Sequence, residues 1–293
     1  MSGPEGRPRR RGRVSLISWV GDRLAAKPPF ADPAGRKGLW TRLAQAPPHR
    51  VVAYRIPLPD VGSPWRVALL ADLHVGGYAD DVARLRKIVA ETNALAPDLV
   101  LLLGDYMNMM PLGGGRVPPE AIARELAGLR APAGILAVMG NHDWKYGRDV
   151  VMAAFAAAGL ATIENRIVVA RRGGDSLAVV GLEDDRYGEP DLSLLGQLPE
   201  GVPALVATHS PGLFHDLPAG HLMVAGHMHG GQIRWPGLPA LHVPSGRAPR
   251  RWAHGHIRED GRDLVVSAGL GVSGFPLRLG IPPEIVIVEL VGA

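Results

Sequence analysis

The chain contains no cysteine among its 293 residues, so disulfide bonds and thiolate metal sites are excluded. It also has no run that approaches the about 18 consecutive apolar residues that a membrane-spanning helix requires. The glycine-rich segment PLGGGRVPP at 111–119 lacks the Lys-Ser/Thr pair of a nucleotide-binding P-loop, and we interpret it as a flexible connector. These absences exclude disulfide-stabilised, thiolate-metal and membrane-spanning proteins.

Little net charge lies outside the first 13 residues. That segment carries five arginines against Glu5, a net charge of +4, which equals the net charge of the whole chain. The rest of the chain therefore sums to zero. An enzyme that acts on nucleic acid usually carries a basic stripe on its folded surface, so this distribution disfavours nucleic acid as a partner.

Two Pro-Pro pairs, Pro28-Pro29 and Pro47-Pro48, separate the N-terminal region from the rest of the chain. Proline interrupts helices, so this region cannot be helical throughout. We predict a basic N-terminal leader and proline-rich linker over residues 1–49, and a single folded domain over residues 50–293.

The leader permits three interpretations. If residues 14–26 are helical, their apolar side chains share one face, and with the arginines before them they would place residues 1–27 on an anionic membrane surface. The segment could instead dock on its own domain or be disordered. Arg10-Arg11 ahead of VSLISWVG resembles a twin-arginine export signal, although Asp22 and Arg23 interrupt the apolar run. We expect a cytoplasmic protein. Peripheral contact with the inner membrane is one alternative, and export is the minority alternative.

Five apolar runs each end in side chains that bind metals. Polar residues that follow buried parallel strands emerge at one edge of a sheet, where they can converge. A single Asp or His in such a place is more often a turn former or helix cap, but five consecutive strand ends that all supply carboxylate, amide or imidazole donors favour a site for Mn, Fe or Zn. The runs are ALLADLH, LLLGDYMN, AVMGNHD, LVATHS and MVAGHMHGG, and the candidate residues are Asp72, His74, Asp105, Asn141, His142, Asp143, His209, His227 and His229.

Two pairs of candidates, Asp72 with His74 and His227 with His229, are spaced two residues apart. On extended backbone, residues at this spacing point to the same side. We therefore expect each pair to bind from one side.

The series D-x-H, G-D, G-N-H-D, H and G-H-x-H, over residues 72–229, resembles the calcineurin-like metallophosphoesterase superfamily. The segments GHMHGGQIRWPG and LVVSAGLGVSGFPLRLGIPPEIVIVEL are similar to the bacterial branch of the YaeI and YkuE phosphoesterases. The resemblance implies an α/β fold for the domain over residues 50–293, with two stacked mixed β-sheets flanked by helices in a four-layer αββα sandwich.

The coarse pattern along the chain agrees with that fold class, because strands and helices alternate in the first half and short strands dominate the second. We predict helices near residues 80–96, 119–130 and 148–158. The later strands are expected at 163–169, 177–182, 203–208, 222–225, 263–269 and 285–291.

The resemblance also implies a ligand set for two divalent metal ions, taken as Mn, Fe or Zn. One ion would be held by Asp72, His74 and His229, with Asp105 as the bridge between the two ions. The second ion would be held by Asn141, His209 and His227. His142 would protonate the leaving group rather than bind metal, and a hydroxide activated by both ions would attack phosphorus.

The chain departs from the family pattern after Asp105. Relatives often carry a second Asp that orients the catalytic His, sometimes followed by an Arg that holds phosphate, but this chain has Asn108 and Met109. An amide brings no negative charge, so we expect His142 to be a proton donor over a narrower acidic range. A dianionic monoester needs a bidentate guanidinium more than a singly charged diester does, so Met109 favours cleavage of a phosphodiester or pyrophosphate.

The expected substrate is a small-molecule or lipid-linked phosphate ester, with a nucleotide-sugar pyrophosphate as one form. A phosphomonoesterase or nucleotide phosphatase is the alternative, and a non-catalytic scaffold of the same fold is a weaker one. His254 and His256 have ligand-like spacing, but no apolar strand precedes them. We place them in a solvent-exposed turn.

Overall fold

A computed structural model describes residues 45–78, 81–110, 116–235, 243–244 and 246–293. Most of the predicted leader and linker, including the membrane contact proposed for residues 1–27, lies outside this range. The same holds for residues 111–115 of the glycine-rich segment.

Among the residues that the structure describes, the first sheet has six strands in the order β1-β12-β2-β3-β4-β5. All neighbouring strands are parallel except β12 and β2. The parallel strands read as continuous apolar runs because both faces of the sheet are covered. The strands are β1 (Arg50–Leu58), β2 (Trp65–Leu70), β3 (Leu99–Leu103), β4 (Ile135–Val138), β5 (Ala161–Thr162) and β12 (Glu284–Gly292).

The second sheet also has six strands, in the order β10-β11-β9-β8-β7-β6. Its four central strands, from β11 to β7, are parallel, and an antiparallel strand closes each edge. Both sheets are therefore mixed. The strands are β6 (Arg166–Arg172), β7 (Asp175–Gly181), β8 (Ala204–Ala207), β9 (Leu222–Ala225), β10 (Gly255–Glu259) and β11 (Arg262–Val266).

In the described part of the chain, three α-helices pack on the outer face of the first sheet: α1 (Asp81–Ala94), α2 (Pro119–Leu126) and α3 (Asn141–Ala157). The helix predicted near 148–158 matches the second part of α3, which begins after the non-helical Gly147, whose φ is 133°. The helical stretch that precedes it, from Asn141, was not predicted. Two of the predicted site residues, Asn141 and His142, therefore lie in the first turn of α3.

The two sheets pack face to face, as the side chains of β3 show. Leu101 points into the core between the sheets, whereas Val100 and Leu102 point into the core beneath the helices. The other outer face, that of the second sheet, is covered in the described part of the chain by 3₁₀ helices, chiefly Pro211–Asp216 and Arg250–Trp252. The predicted α/β class of two stacked mixed sheets flanked by helices is confirmed.

The turn expected around His254 and His256 is wrong for His256, which is exposed as expected but lies in a strand, whereas His254 lies in a bend just before that strand. His256 lies in β10, which pairs with β11, and its Nε2 is 2.7 Å from Oδ1 of Asp263. Nε2 of His254 lies 2.9 Å from Oε1 of Glu284, whose side chain is fully buried. Strand β10 was not predicted, because it is an edge strand with alternately exposed polar residues.

Two strands, β1 and β2, precede α1, where a single strand was expected. Within the residues that the structure describes, no helix combines the length and the apolar character needed to cross a membrane.

Candidate metal centre

The loops after five strands meet at one place. Strands β2, β3 and β4 of the first sheet and β8 and β9 of the second end on the same side of the sandwich. Backbone hydrogen bonds join the loops that follow them, from Asp72 N–H to the carbonyl of Gly104 and from Gly226 N–H to the carbonyl of His209, both at 3.0 Å. The sheet edges thus place the candidate donors around one centre.

All seven predicted ligands are buried at this centre. In one group, donor atoms of Asp72, His74 and His229 all lie within 4.8 Å of one another. In a second group, the same holds for Asp105, His209 and His227. Oδ1 of Asn141 lies 3.2 Å from Nε2 of His209 and so belongs with the second group.

The carboxylate of Asp105 lies between the two groups. Its Oδ2 is 3.5 Å from Nε2 of His74 in the first group and 3.3 Å from Nε2 of His209 in the second. This is the position that a bridging ligand requires.

Backbone carbonyls orient two of the imidazoles. Nδ1 of His74 lies 3.1 Å from the carbonyl of Met107, and Nδ1 of His209 lies 2.8 Å from the carbonyl of Leu103. A carbonyl can only accept, so each Nδ1 donates its proton and each Nε2 is directed into the centre. Metal-binding histidines are commonly held in this way.

The buried acids of the centre attract positive charge. Burial raises the pKa of Asp72 to about 7. Burial alone would lower the pKa of His209, but the charge of Asp105 raises it well above its usual value. Both shifts favour a bound proton, and a divalent cation would supply the same positive charge while displacing that proton. The donor set of carboxylate, amide and imidazole groups therefore fits a divalent metal.

Five of the seven candidates have positive backbone φ angles, although none is glycine. Such residues cost of order 1–3 kcal/mol each and are retained where the surrounding structure fixes them, which is common at functional sites. The expectation that two pairs lie on extended backbone is therefore wrong, and His227 and His229 belong to different groups rather than binding from one side. The angles are 51° at Asp72, 40° at His74, 56° at Asp105, 69° at His227 and 51° at His229.

Asp143 has a role that the sequence analysis did not assign. Its carboxylate accepts four backbone N–H groups, three from the loop after β3 that carries Asp105 and one from the residue before α3. The donors are Asp105 at 2.8 Å, Gly140 at 2.8 Å, Tyr106 at 3.0 Å and Met107 at 3.1 Å. The only signal in the sequence was the fourth letter of GNHD, at the N3 position of a helix where an acidic side chain commonly caps free N–H groups.

His142 lies at the edge of the centre. Its side chain is 16% exposed, and its Nε2 is 4.0 Å from Oδ2 of Asp105. Burial lowers the pKa of His142 to about 3. By distance alone His142 could also join a group with His74 and Asp105.

Asn108, which stands where relatives often have an Asp that orients the catalytic histidine, makes no hydrogen bond to Nδ1 of His142. Nδ1 of His142 is buried and has no hydrogen-bond partner. Oδ1 of Asn108 instead accepts the backbone N–H of Met110 at 3.0 Å. Asn108 thus stabilises its own loop.

Arg278, for which the sequence indicated no role, lies directly behind a candidate ligand. Its guanidinium is buried and donates to the carbonyls of Ala268 at 2.6 Å and Gly271 at 2.9 Å. Its Nη2 lies 3.3 Å from Nδ1 of His229. The arginine therefore supports the GHMHGG loop from the side opposite the centre.

Comparison with known proteins identifies the family. Residues 66–237 match the calcineurin-like phosphoesterase family. The uncharacterized metallophosphoesterase YkuE of Bacillus subtilis is 27% identical over 233 residues, which cover 77% of this chain and 79% of that protein. The phosphodiesterase YaeI of Escherichia coli is 29% identical over 251 residues, which cover 83% of this chain and 87% of that protein.

Among solved structures, phosphopantetheinyl hydrolase (PptH) from Mycobacterium tuberculosis is 16% identical, with a TM-score of 0.42, and covers 74% of this chain and 92% of that chain. The match over residues 66–237 confirms the resemblance inferred from the sequence motifs. The chain belongs to the calcineurin-like phosphoesterase family and is a hydrolase of phosphoester bonds.

Proposed function

We propose that the protein is a metal-dependent phosphodiesterase that cleaves a phosphodiester or pyrophosphate bond at a centre of two divalent ions, Mn, Fe or Zn. The observation that supports this most strongly is the pair of buried donor groups with Asp105 between them. One ion would be held by Asp72, His74 and His229. The other ion would be held by Asn141, His209 and His227. Asp105 would bind both ions.

Two such ions would lower the pKa of a shared water and offset negative charge on the phosphoryl group. The protein's own residues would position the substrate and move protons. His142 reaches the solvent edge of the centre, where the negative charge of a bound phosphate ester would raise its pKa from about 3. We assign to its Nε2 the proton donated to the leaving oxygen. His74 supports this position, because the two rings make an edge contact with centroids 4.7 Å apart.

The charge around the centre favours a singly charged phosphoryl group. Met109 stands where some relatives have an arginine, so a bidentate guanidinium is missing at that point. Separate cations lie nearby: burial lowers the pKa of His142 with a contribution from Lys145, and burial lowers that of His227 with a contribution from Arg186. The absence of a guanidinium at residue 109 is the observation that favours a diester over a dianionic monoester.

The name of the relative YaeI, a phosphodiesterase, supports the same choice. The substrate is proposed to be a small-molecule or lipid-linked phosphate ester, or a nucleotide-sugar pyrophosphate, rather than nucleic acid. A phosphomonoesterase or nucleotide phosphatase is the second candidate. A non-catalytic scaffold is disfavoured because every matched position retains a metal donor.

The test compares turnover of bis(p-nitrophenyl) phosphate and p-nitrophenyl phosphate by the Mn-loaded protein, with Asp105→Asn as the inactive control. Faster turnover of the diester is expected. Faster turnover of the monoester would favour the phosphomonoesterase instead. A protein that binds Mn but cleaves neither compound would favour the scaffold.

A further inference from the structure

The exposed large apolar side chains of the described residues are not scattered evenly. Three of the seven, Val51, Val150 and Tyr187, are separate from one another in the sequence. The other four lie in two short segments, and we call these four the apolar surface. The apolar surface consists of Trp235 (62% exposed), Phe275 (64%), Leu277 (53%) and Leu279 (48%).

Hydrogen bonds hold the two segments of the apolar surface together. The backbone N–H of Arg234 donates to the carbonyl of Leu279 at 2.7 Å, and the N–H of Leu279 donates to the carbonyl of Gln232 at 3.0 Å. The side-chain amide of Gln232 donates to the carbonyl of Phe275, also at 3.0 Å. The four apolar side chains are therefore carried by one connected piece of backbone.

The segment 275–279 has the reverse of the usual orientation of apolar and charged side chains. Phe275, Leu277 and Leu279 face outward, whereas Pro276 and Arg278 between them are buried. In water, the charged residue of such an alternating segment normally faces the solvent. The inverted pattern fits a surface whose outer neighbour is not water.

The two segments that carry the apolar surface contain no acidic residue. The stretches 217–258 and 264–283, which include both segments, contain no Asp or Glu. Arg234 directly precedes Trp235. Tryptophan next to a basic residue is typical of the interface of a bilayer, where anionic headgroups attract the cation and the indole ring lies at headgroup level.

The apolar surface is too small for a stable contact with a second copy of the chain. Its four partly exposed side chains offer on the order of 400 Å². A stable protein interface buries about 800 Å² on each partner. Insertion of a few apolar side chains into a lipid surface needs no such area.

The apolar surface adjoins the candidate metal centre. Nη1 of Arg278, in the middle of the segment 275–279, lies 3.4 Å from the carbonyl of His229. His229 is a predicted ligand, and Gln232 follows it in the same loop. The apolar surface therefore lies behind the loop that carries His229, on the side away from the donor atoms.

We propose that the apolar surface docks the protein on an anionic phospholipid bilayer, so that the loop that carries His229 lies next to the headgroup layer. Docking itself depends only on these side chains and charges. That docking serves hydrolysis of a lipid-linked phosphate ester rests on the function proposed above.

The test measures co-sedimentation of the full chain with vesicles of phosphatidylcholine and phosphatidylglycerol, and of phosphatidylcholine alone. Leu277→Ser and Phe275→Ser each remove one exposed apolar side chain. Val150→Ser is the matched control, because Val150 and Leu277 are both 53% exposed. We expect a fall of about tenfold in the partition coefficient for each surface variant, no change for Val150→Ser, and weaker binding without the anionic lipid.

A second measurement separates this surface from residues 1–27. Quenching of tryptophan fluorescence by brominated lipids should decrease in Trp235→Phe while that variant still binds vesicles. Equal binding by wild type, Leu277→Ser and Phe275→Ser would overturn the proposal, as would self-association of the wild type that Leu277→Ser abolishes. No turnover enters these measurements, so failure of docking and failure of the proposed phosphodiesterase activity are distinguishable.

Discussion

The carboxylate of Asp143 accepts the backbone N–H of Asp105 at 2.8 Å. Asp105 is the residue that lies between the two donor groups, so its position is set by a side chain 38 residues away that is not itself among the predicted ligands. Asp143 is therefore a positioning residue of the centre.

Replacement of Asp143 by Asn should loosen this arrangement. The amide NH₂ group would face backbone N–H donors and leave at least one of them unpaired, which costs about 1–3 kcal/mol. We also expect metal affinity to fall about 10- to 100-fold, as for other residues that orient metal ligands. Thermal unfolding and Mn titration would measure the two effects.

Asp149→Asn provides the control for Asp143→Asn. Asp149 lies on the same helix, α3, and its side chain is 95% exposed, so both its stability and its Mn affinity should match the wild type. Wild-type Mn affinity in Asp143→Asn would contradict the positioning role.

A close approach of backbone holds Asp72 in place from another side. A Cβ atom at Gly226 would lie 2.8 Å from Oδ2 of Asp72 and 2.8 Å from Cβ of Ala71. Gly226→Ala should therefore displace the carboxylate and weaken Mn binding, with a loss of stability of about 1–3 kcal/mol from overpacking. Gly196→Ala is the control, because nothing lies within 4 Å of a Cβ there. Equal Mn affinity and equal stability of the two variants would show that Asp72 tolerates the added methyl group.

The positions of the donors were predictable because each follows an apolar run that becomes a parallel strand. Their backbone conformation was not. Asp72 and His74 adopt positive φ because the N–H of each bonds to the loop after β3, to Gly104 at 3.0 Å and Asp105 at 2.9 Å. These bonds join segments distant in sequence, and no local pattern encodes them.

Other features were not predicted, for different physical reasons. The bonds of Asp143 reach backbone N–H groups, which every residue except proline has, so residue types give little signal. His256 was placed in a turn because polar side chains on an edge strand resemble a loop. The fold class was accessible from pattern and resemblance together, whereas the hydrogen bonds that set the site's geometry required coordinates.

Binding of a divalent ion should stabilise the folded protein. A ligand that binds only the native state raises the free energy of unfolding by about 2.7 kcal/mol at 100 times its dissociation constant. We expect Mn to raise the melting temperature of the wild type and a chelator to reverse the rise. Asp105→Asn should show a much smaller rise, because both groups lose a shared carboxylate; an equal rise would mean that Mn binds elsewhere.

The last prediction concerns Glu284, whose buried side chain lies behind the centre. Burial alone would raise the pKa of Glu284, but hydrogen bonds from His254, the backbone N–H of Ala268 and Arg50 hold the pKa below its usual value. A carboxyl group with a lowered folded-state pKa stabilises the protein above its unfolded-state pKa of about 4.3, and this contribution disappears as the pH falls through the folded-state value.

Glu284→Gln should therefore lower the free energy of unfolding by about 1–3 kcal/mol at pH near 7, with the difference from the wild type shrinking as the pH falls below about 4. Urea denaturation across this pH range measures the difference. Glu289→Gln is the control on the same strand, because its side chain is 43% exposed and exposed ion pairs contribute little. At acid pH Glu284 is protonated and no longer accepts ionic hydrogen bonds, so the wild type loses the advantage that charge gives it over the variant. If the difference in the free energy of unfolding stays constant down to acid pH, shape rather than charge accounts for the effect.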